Sequence, residues 1–183
     1  ELATGKQISR SQIGNNVMCF SNAPLSASEA FSSPVSPPPF MVGMAEVEID
    51  KETGVLELID YVAVVDCGTV INPNLARVQV EGGIAQGIGM ALYEDVVYNE
   101  KGKNFSNSLM QYKIPTRLDV GTIRVEFESS YEPTGPFGAK SIGEIVINTP
   151  SPAISNAIQN ATGVIIRELP MTAEKIYRGI SGR

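Results

Sequence analysis

The chain has 183 residues, a net charge of −6, and a composition that is 43% hydrophobic and 19% charged. That length and apolar content suit one substantial packed domain or two small ones, and an acidic chain without a basic cluster excludes nucleic acid or an anionic membrane as its main partner. The absence of histidine excludes a Ser-His-Asp triad, a Cys-His dyad and any histidine metal site within these residues.

Glu1 to Lys6 lack the basic and apolar regions of a signal peptide, and the chain does not begin with Met. It is therefore expected to be a fragment or a processed piece. No apolar run approaches the length of a bilayer-spanning helix. Cys19 and Cys67 form neither a CxxC pair nor an iron–sulfur spacing, and the expected setting is a reducing cytoplasm.

Residues 1–33 are polar and weakly periodic, with room for one short helix. Ser33 to Phe40 carries four prolines and reads as a stiff, extended connector. The expected organisation is thus an irregular lead-in over 1–40 and a folded domain over 41–183. Ala45, Val47 and Ile49 alternate with Glu46 and Glu48, which predicts a strand with one wet face. Asp50 to Gly54 is a turn, and Val55 to Asp66 is a second strand, completing a hairpin. Cys67 to Asn74 is a loop punctuated by Asn72-Pro73.

A helix is predicted from Asn74 or Leu75 to Leu92. It contains Gly82, Gly83, Gly87 and Gly89, each costing about 1 kcal/mol against Ala in a helix interior. Val80, Ile84, Ile88 and Ala91 share one stripe; Gln79, Gly83, Gln86 and Met90 share another. Two amides across a gap suit the edge of a heterocycle, since amides both donate and accept. The alternative is close packing of the helix through its glycines. Tyr93 to Tyr98 and Leu109 to Ile114 read as strand and loop around a turn at Asn99 to Gly102. Ile123 to Ser130 is another half-exposed strand. A helix follows from about Ala153 to Ala161, then a short strand at Val164 to Ile166, then an amphipathic helix from Met171 to Ile180 capped by Thr172 or the preceding turn. Mixed strands and helices imply an α+β or α/β domain.

The run Gly135-Pro-Phe-Gly-Ala-Lys-Ser-Ile-Gly-Glu144 places one carboxylate after a glycine-rich loop and before the apolar run Ile145-Val146-Ile147. A carboxylate held against such a run loses hydration, which raises its pKa and improves it as a general base near neutral pH. The alternative is a surface turn whose Glu points to water. Lys140 is expected to point away from Glu144, because an ion pair would oppose the base role. Asp66 and Asn72 are expected to order their loop through side-chain to backbone hydrogen bonds, and Cys67 to be a small buried residue.

Together, Asp66 to Pro73, Gln79 to Gly89, Tyr112 to Thr116 and Gly138 to Glu144 resemble the molybdenum-cofactor-binding part of the xanthine dehydrogenase/aldehyde oxidase family. The resemblance covers about Met41 to Gly179 and is nearest to multi-subunit bacterial hydroxylases of purines and related N-heterocycles. It implies an α+β fold of the molybdopterin-binding type, a mixed sheet with packed helices. It also implies hydroxylation of a heterocycle or aldehyde carbon with water as oxygen source. Glu144 would be the general base that takes the proton of the attacking hydroxyl. Gln79, Lys140, Ser141, Ile142 and Gly143 would border the cofactor, with Gln86 a further contact. The metal would be held by the pterin dithiolene and by no side chain of this chain, and the pterin would carry a cytosine dinucleotide. The implied partners are the remainder of the molybdenum subunit, iron–sulfur and FAD subunits or domains, and a small substrate. One departure is Val78 where the family often has Gly before the Gln. A complete molybdenum-binding unit is several times longer, so this chain is expected to supply half of an active site. The rival readings are a non-catalytic scaffold of the same fold and an unrelated ligand-binding α/β module.

Overall fold

A computed structural model describes residues 7–20 and 26–182 of the chain. Two units divide it, Glu1–Ser32 and Ser33–Arg183. The first contains the helix Arg10–Phe20 (α1), which buries no residue. Everything below concerns the second.

Alternation builds its sheet. In the strand Phe40–Ile49 (β1), Met41, Ala45, Val47 and Ile49 turn toward the core, while Phe40, Val42, Met44, Glu46 and Glu48 face out. The strand Leu56–Asp66 (β2) pairs with it antiparallel. The turn between them is closed by the Asp50 carboxylate, which accepts from the Glu52 amide at 2.9 Å and the Thr53 hydroxyl at 2.8 Å. The register shifts between Glu46 and Val47. That bulge explains why Leu58 and Tyr61, three residues apart, are both buried.

After β2, Asn72 caps the helix Pro73–Leu92 (α2), its side-chain oxygen accepting from the Leu75 amide; Pro73 sits in the first turn, where its missing N–H costs nothing. Val80, Ile84, Ile88 and Ala91 are fully buried, as their stripe predicts; each large aliphatic among them contributes about 1.5–3 kcal/mol on burial. The strand Thr122–Phe127 (β3) joins β2 in parallel, giving the order β1-β2-β3. A single-turn helix Ile145–Asn148 (α3) leads into Pro150–Thr162 (α4), which ends on Gly163 at φ 77°. The last helix, Ala173–Ser181 (α5), is capped by Thr172, as expected. Helix α4 packs on β1, and α2 packs on α3, α4 and β3. The fold is α+β, with a mixed sheet.

Two expectations need correcting. Val164 to Ile166 forms no strand. Its alternating burial is real, Val164 lying under Gly179 and Ile166 against the core, but a strand needs a backbone partner and none of the three strands offers one. Tyr93 to Tyr98 is irregular except for a bridge between Tyr98 and Asn104. The turn at Asn99 does form, its side chain accepting from the amides of Lys101 and Lys103.

Candidate functional site

Parallel pairing sends the chain out of β2 and β3 at the same edge of the sheet. The loop after β2 and the segment after β3 therefore meet. Gly68 bridges Ala139, the Thr69 amide donates to Gly138 O at 2.8 Å, and the Lys140 amide donates to Cys67 O at 2.7 Å. Gly68 has φ +68°, and a Cβ there would stand 2.4 Å from Gly138 O, so only glycine permits this approach.

Asp66 sits at the centre of the junction. Its Oδ1 accepts from the Gly68 amide at 3.0 Å and the Ser130 hydroxyl at 2.6 Å, and its Oδ2 accepts from Lys140 Nζ at 2.5 Å. The Lys140 hydrogen bond, then that of Ser130, pull its pKa down to about 2. The Lys140 side chain is only 9% exposed, and its Nζ lies 5.3 Å from the centre of the Phe40 ring. Lys140 thus pairs with Asp66, pointing elsewhere than Glu144 as expected. Cys67 is buried, and burial pushes its thiol pKa up.

The glycines of α2 serve two purposes. A Cβ on Gly83 would lie 2.1 Å from Val146 Cγ2, one on Gly87 2.6 Å from Pro150 Cγ, and one on Gly89 2.0 Å from Glu94 Oε1. Those three let α3, α4 and the segment after α2 approach closely. Gly82 differs: a Cβ there would meet nothing within 4 Å. It faces a groove of about 500 Å³. One wall is Val78, Gln79, Gly82, Gly83 and Gln86 of α2; the other is Gly143, Glu144, Val146 and Ile147.

The expected burial of Glu144 is not found: the residue is exposed. It is the residue before α3, in αR conformation, and its side chain caps nothing. The apolar run winds into that short helix, so Val146 is fully buried, against Gly83, while Ile145 is only half-buried against the core. A helical run buries one face, and Glu144 stands beside that face on the open groove. It nevertheless shares the groove with Gln79 and Gln86.

The other expected cofactor residues divide. Gly143 lines the Glu144 groove. Lys140 and Ile142 line a neighbouring cavity of about 330 Å³ with Cys67, Thr69, Asn72 and Gln79, so Gln79 borders both. Lys140 also borders, with Ser141, a third depression formed against Ser33 to Pro37. Sequence reasoning missed Val78 as a wall residue and Gly82 as the open floor. The signal for Gly82 was its place beside Gly83: neighbours 100° apart on a helix cannot both serve one packing contact.

Comparison with known proteins decides the family. Residues 3–121 match the family described as molybdopterin cofactor-binding domain. The chain belongs to that family. It is 37% identical over 146 residues to the probable hypoxanthine oxidase XdhD of Escherichia coli (strain K12), a match covering 78% of this chain and 15% of that protein. The structure of quinoline 2-oxidoreductase from Pseudomonas putida 86 superposes with a TM-score of 0.70 at 40% identity, covering 75% of this chain and 18% of that one. Aldehyde oxidoreductase from Desulfovibrio gigas gives a TM-score of 0.72 at 34% identity, covering 78% and 15%. The chain therefore represents the molybdenum-binding portion of the xanthine dehydrogenase/aldehyde oxidoreductase type. It spans less than a fifth of each of these three relatives.

The residues present fit the group for which this molybdopterin-binding family is described. Gly82 leaves a floor that any side chain would fill, and the exposed Gln79 and Gln86 can turn amide donors and acceptors toward a heterocycle. Among the described residues no group of three or more His, Cys, Asp or Glu could hold a metal ion, and no helix is long and apolar enough to cross a membrane.

Proposed function

We propose that this chain is part of the molybdenum-binding subunit of a cytoplasmic xanthine dehydrogenase-like oxidoreductase, one that hydroxylates a heterocycle or an aldehyde carbon. The observation that carries the reading is the groove itself, with one carboxylate, Glu144, facing two amides, Gln79 and Gln86, across the bare backbone of Gly82. When bound, the molybdenum–molybdopterin cofactor, in its cytosine dinucleotide form, supplies the site that activates water and accepts two electrons.

The chain's own residues do the rest. Gln79 and Gln86 would hydrogen-bond the pterin edge, and Gly82 and Gly143 would let it lie against backbone. Lys140, Ser141 and Ile142 would border it through the same loop. Glu144 would take, at its carboxylate, a proton from the water whose oxygen becomes bonded to the substrate carbon; the hydrogen that carbon loses would leave with the two electrons the cofactor accepts. The partners of this reading are that remainder, iron–sulfur and FAD subunits or domains, and a small heterocyclic or aldehyde substrate.

The test is Glu144→Gln in the assembled enzyme, with turnover and molybdenum content measured on one sample. Full metal content with turnover down about 100-fold, within the range of general base catalysis, is the expected result. Near-normal turnover with full metal content removes Glu144 from the chemistry and leaves a cofactor-holding scaffold.

A further inference from the structure

The loop that delivers Glu144 is tied by backbone hydrogen bonds at one point and held by side-chain packing beyond it. Up to Lys140 its backbone is tied to the loop after β2 through Gly68, Thr69 and Cys67. Past Lys140, the Gly143 amide reaches only back to the Ser141 hydroxyl, at 3.3 Å. A Cβ on Gly143 would meet nothing closer than that hydroxyl, at 3.6 Å. Ile142 and Ile145 pack half-buried against the core on either side of Glu144, and Val146 is buried against Gly83. The position of Glu144 is therefore set from its two flanks, Lys140 and Ile142 on one side and Ile145 and Val146 on the other.

Lys140 in turn is placed by a carboxylate from another segment. Asp66 gathers the end of β2, Ser130 beyond β3, and Lys140 into one cluster. Two further groups lie in the field of Lys140. The Glu132 carboxylate is occupied by the amide and hydroxyl of Thr134, and the Cys67 thiol is buried. Asp66 is the carboxylate that makes the direct ion pair.

We propose that Asp66 is a positioning residue for Glu144, acting through Lys140 to set the loop whose last residue is the base. This rests on the reading of Glu144 given above. Asparagine at 66 would keep one carbonyl oxygen for Gly68 and Ser130, but would turn an NH2 toward the Lys140 ammonium. The loop would lose its side-chain anchor at Lys140 while the sheet and α2 stayed in place.

The test uses the assembled enzyme with Asp66→Asn, Lys140→Met and the double variant. Turnover per bound molybdenum is measured with whichever of hypoxanthine, quinoline and benzaldehyde the wild type oxidises. Amide exchange at Thr69 and Lys140 is followed in parallel, which needs no substrate. Each single variant is expected to lose about tenfold or more in turnover per molybdenum, since small misplacements of a reacting group are costly. The double variant should lose no more than the worse single one, because both break one pair. Both amides should exchange faster. Turnover per molybdenum equal to wild type, even with reduced metal content or a lower Tm, would overturn the proposal and leave the pair as support for the fold. Unchanged amide exchange would overturn it equally. If Asp66→Asn does not assemble, Lys140→Met carries the same test. Loss of activity in Glu144→Gln with normal turnover per molybdenum in Asp66→Asn would sink the positioning role alone; an active Glu144→Gln would sink the base reading beneath it.

Discussion

The Tyr61 hydroxyl donates to the Thr149 hydroxyl at 2.9 Å, joining the middle of β2 to the junction of α3 and α4. Gly43 on β1 makes room for it, because a Cβ there would lie 2.0 Å from the Tyr61 oxygen and 3.0 Å from Thr149 Cβ. The short helix behind Glu144 is thus pinned to the sheet by a phenol that only a glycine neighbour admits.

Tyr61→Phe should destabilise the protein by about 0.5–1.5 kcal/mol, the net worth of one hydrogen bond. Gly43→Ala should cost more, about 1–3 kcal/mol, as an overpacked site. The two are coupled: with Phe at 61 the oxygen that clashes is gone, so Gly43→Ala should cost less in that background. Urea unfolding of the four proteins measures the coupling, and strict additivity would contradict the contact.

Neighbouring glycines of α2 should behave oppositely. Gly82→Ala has free space and should gain up to about 1 kcal/mol from helix propensity, yet its methyl enters the groove and should lower molybdopterin content. Gly83→Ala meets Val146 Cγ2 at 2.1 Å and should lose about 1–3 kcal/mol from overpacking. Thermal unfolding and cofactor analysis on both variants separate the two effects. A Gly82→Ala protein with a normal cofactor load would argue against the groove as the binding surface.

Asp66 should make the protein acid-sensitive in a defined window. Its folded pKa of about 2 lies below the ordinary aspartate value of 3.8. A depressed carboxylate contributes stability that is fully present above its unfolded pKa and is lost as pH falls through the folded one. The stability difference between wild type and Asp66→Asn should therefore be constant above about pH 4 and shrink toward pH 2. Unfolding measured across that range checks it; a constant difference down to pH 2 would contradict the ion pair.

The Tyr112 hydroxyl donates to the Glu94 carboxylate just beyond α2, and that carboxylate holds the phenol pKa above its usual value. Tyr112→Phe should free the segment around Lys113 from the end of the helix. Trypsin should then cut after Lys113 faster than in wild type. Equal cleavage rates would mean that other contacts hold this segment.

Much of this was legible in the residues. The alternation from Ala45 to Ile49 and the turn at Asp50 fix the hairpin, because side chains two apart share a face and the Asp50 carboxylate closes its own turn. The stripe Val80, Ile84, Ile88, Ala91 fixes the buried face of α2, and Thr172 marks the start of α5. That Gln79, Gln86 and Glu144 share one groove was anticipated from the helical stripe and the family resemblance; the burial expected of Glu144 was not found. Other features could not be read locally. Ile123 to Phe127 has the same alternation whether it pairs parallel or antiparallel, and only the assembled sheet makes it parallel to β2. Val164 to Ile166 alternates correctly but finds no strand to pair with.

By itself the sequence determined the local elements and the chemistry available, since periodicity, capping and composition act over a few residues. The tertiary structure alone decided what those elements face. Parallel pairing brought two loop ends to one edge and so joined Asp66 to Lys140, 74 positions apart. Packing assigned Gly83, Gly87 and Gly89 to close contacts and left Gly82 open. The winding of Ile145–Asn148 into a helix turned Val146 inward and left Glu144 in water, because burial is set by what lies across from a residue and not by how apolar its neighbours in sequence are.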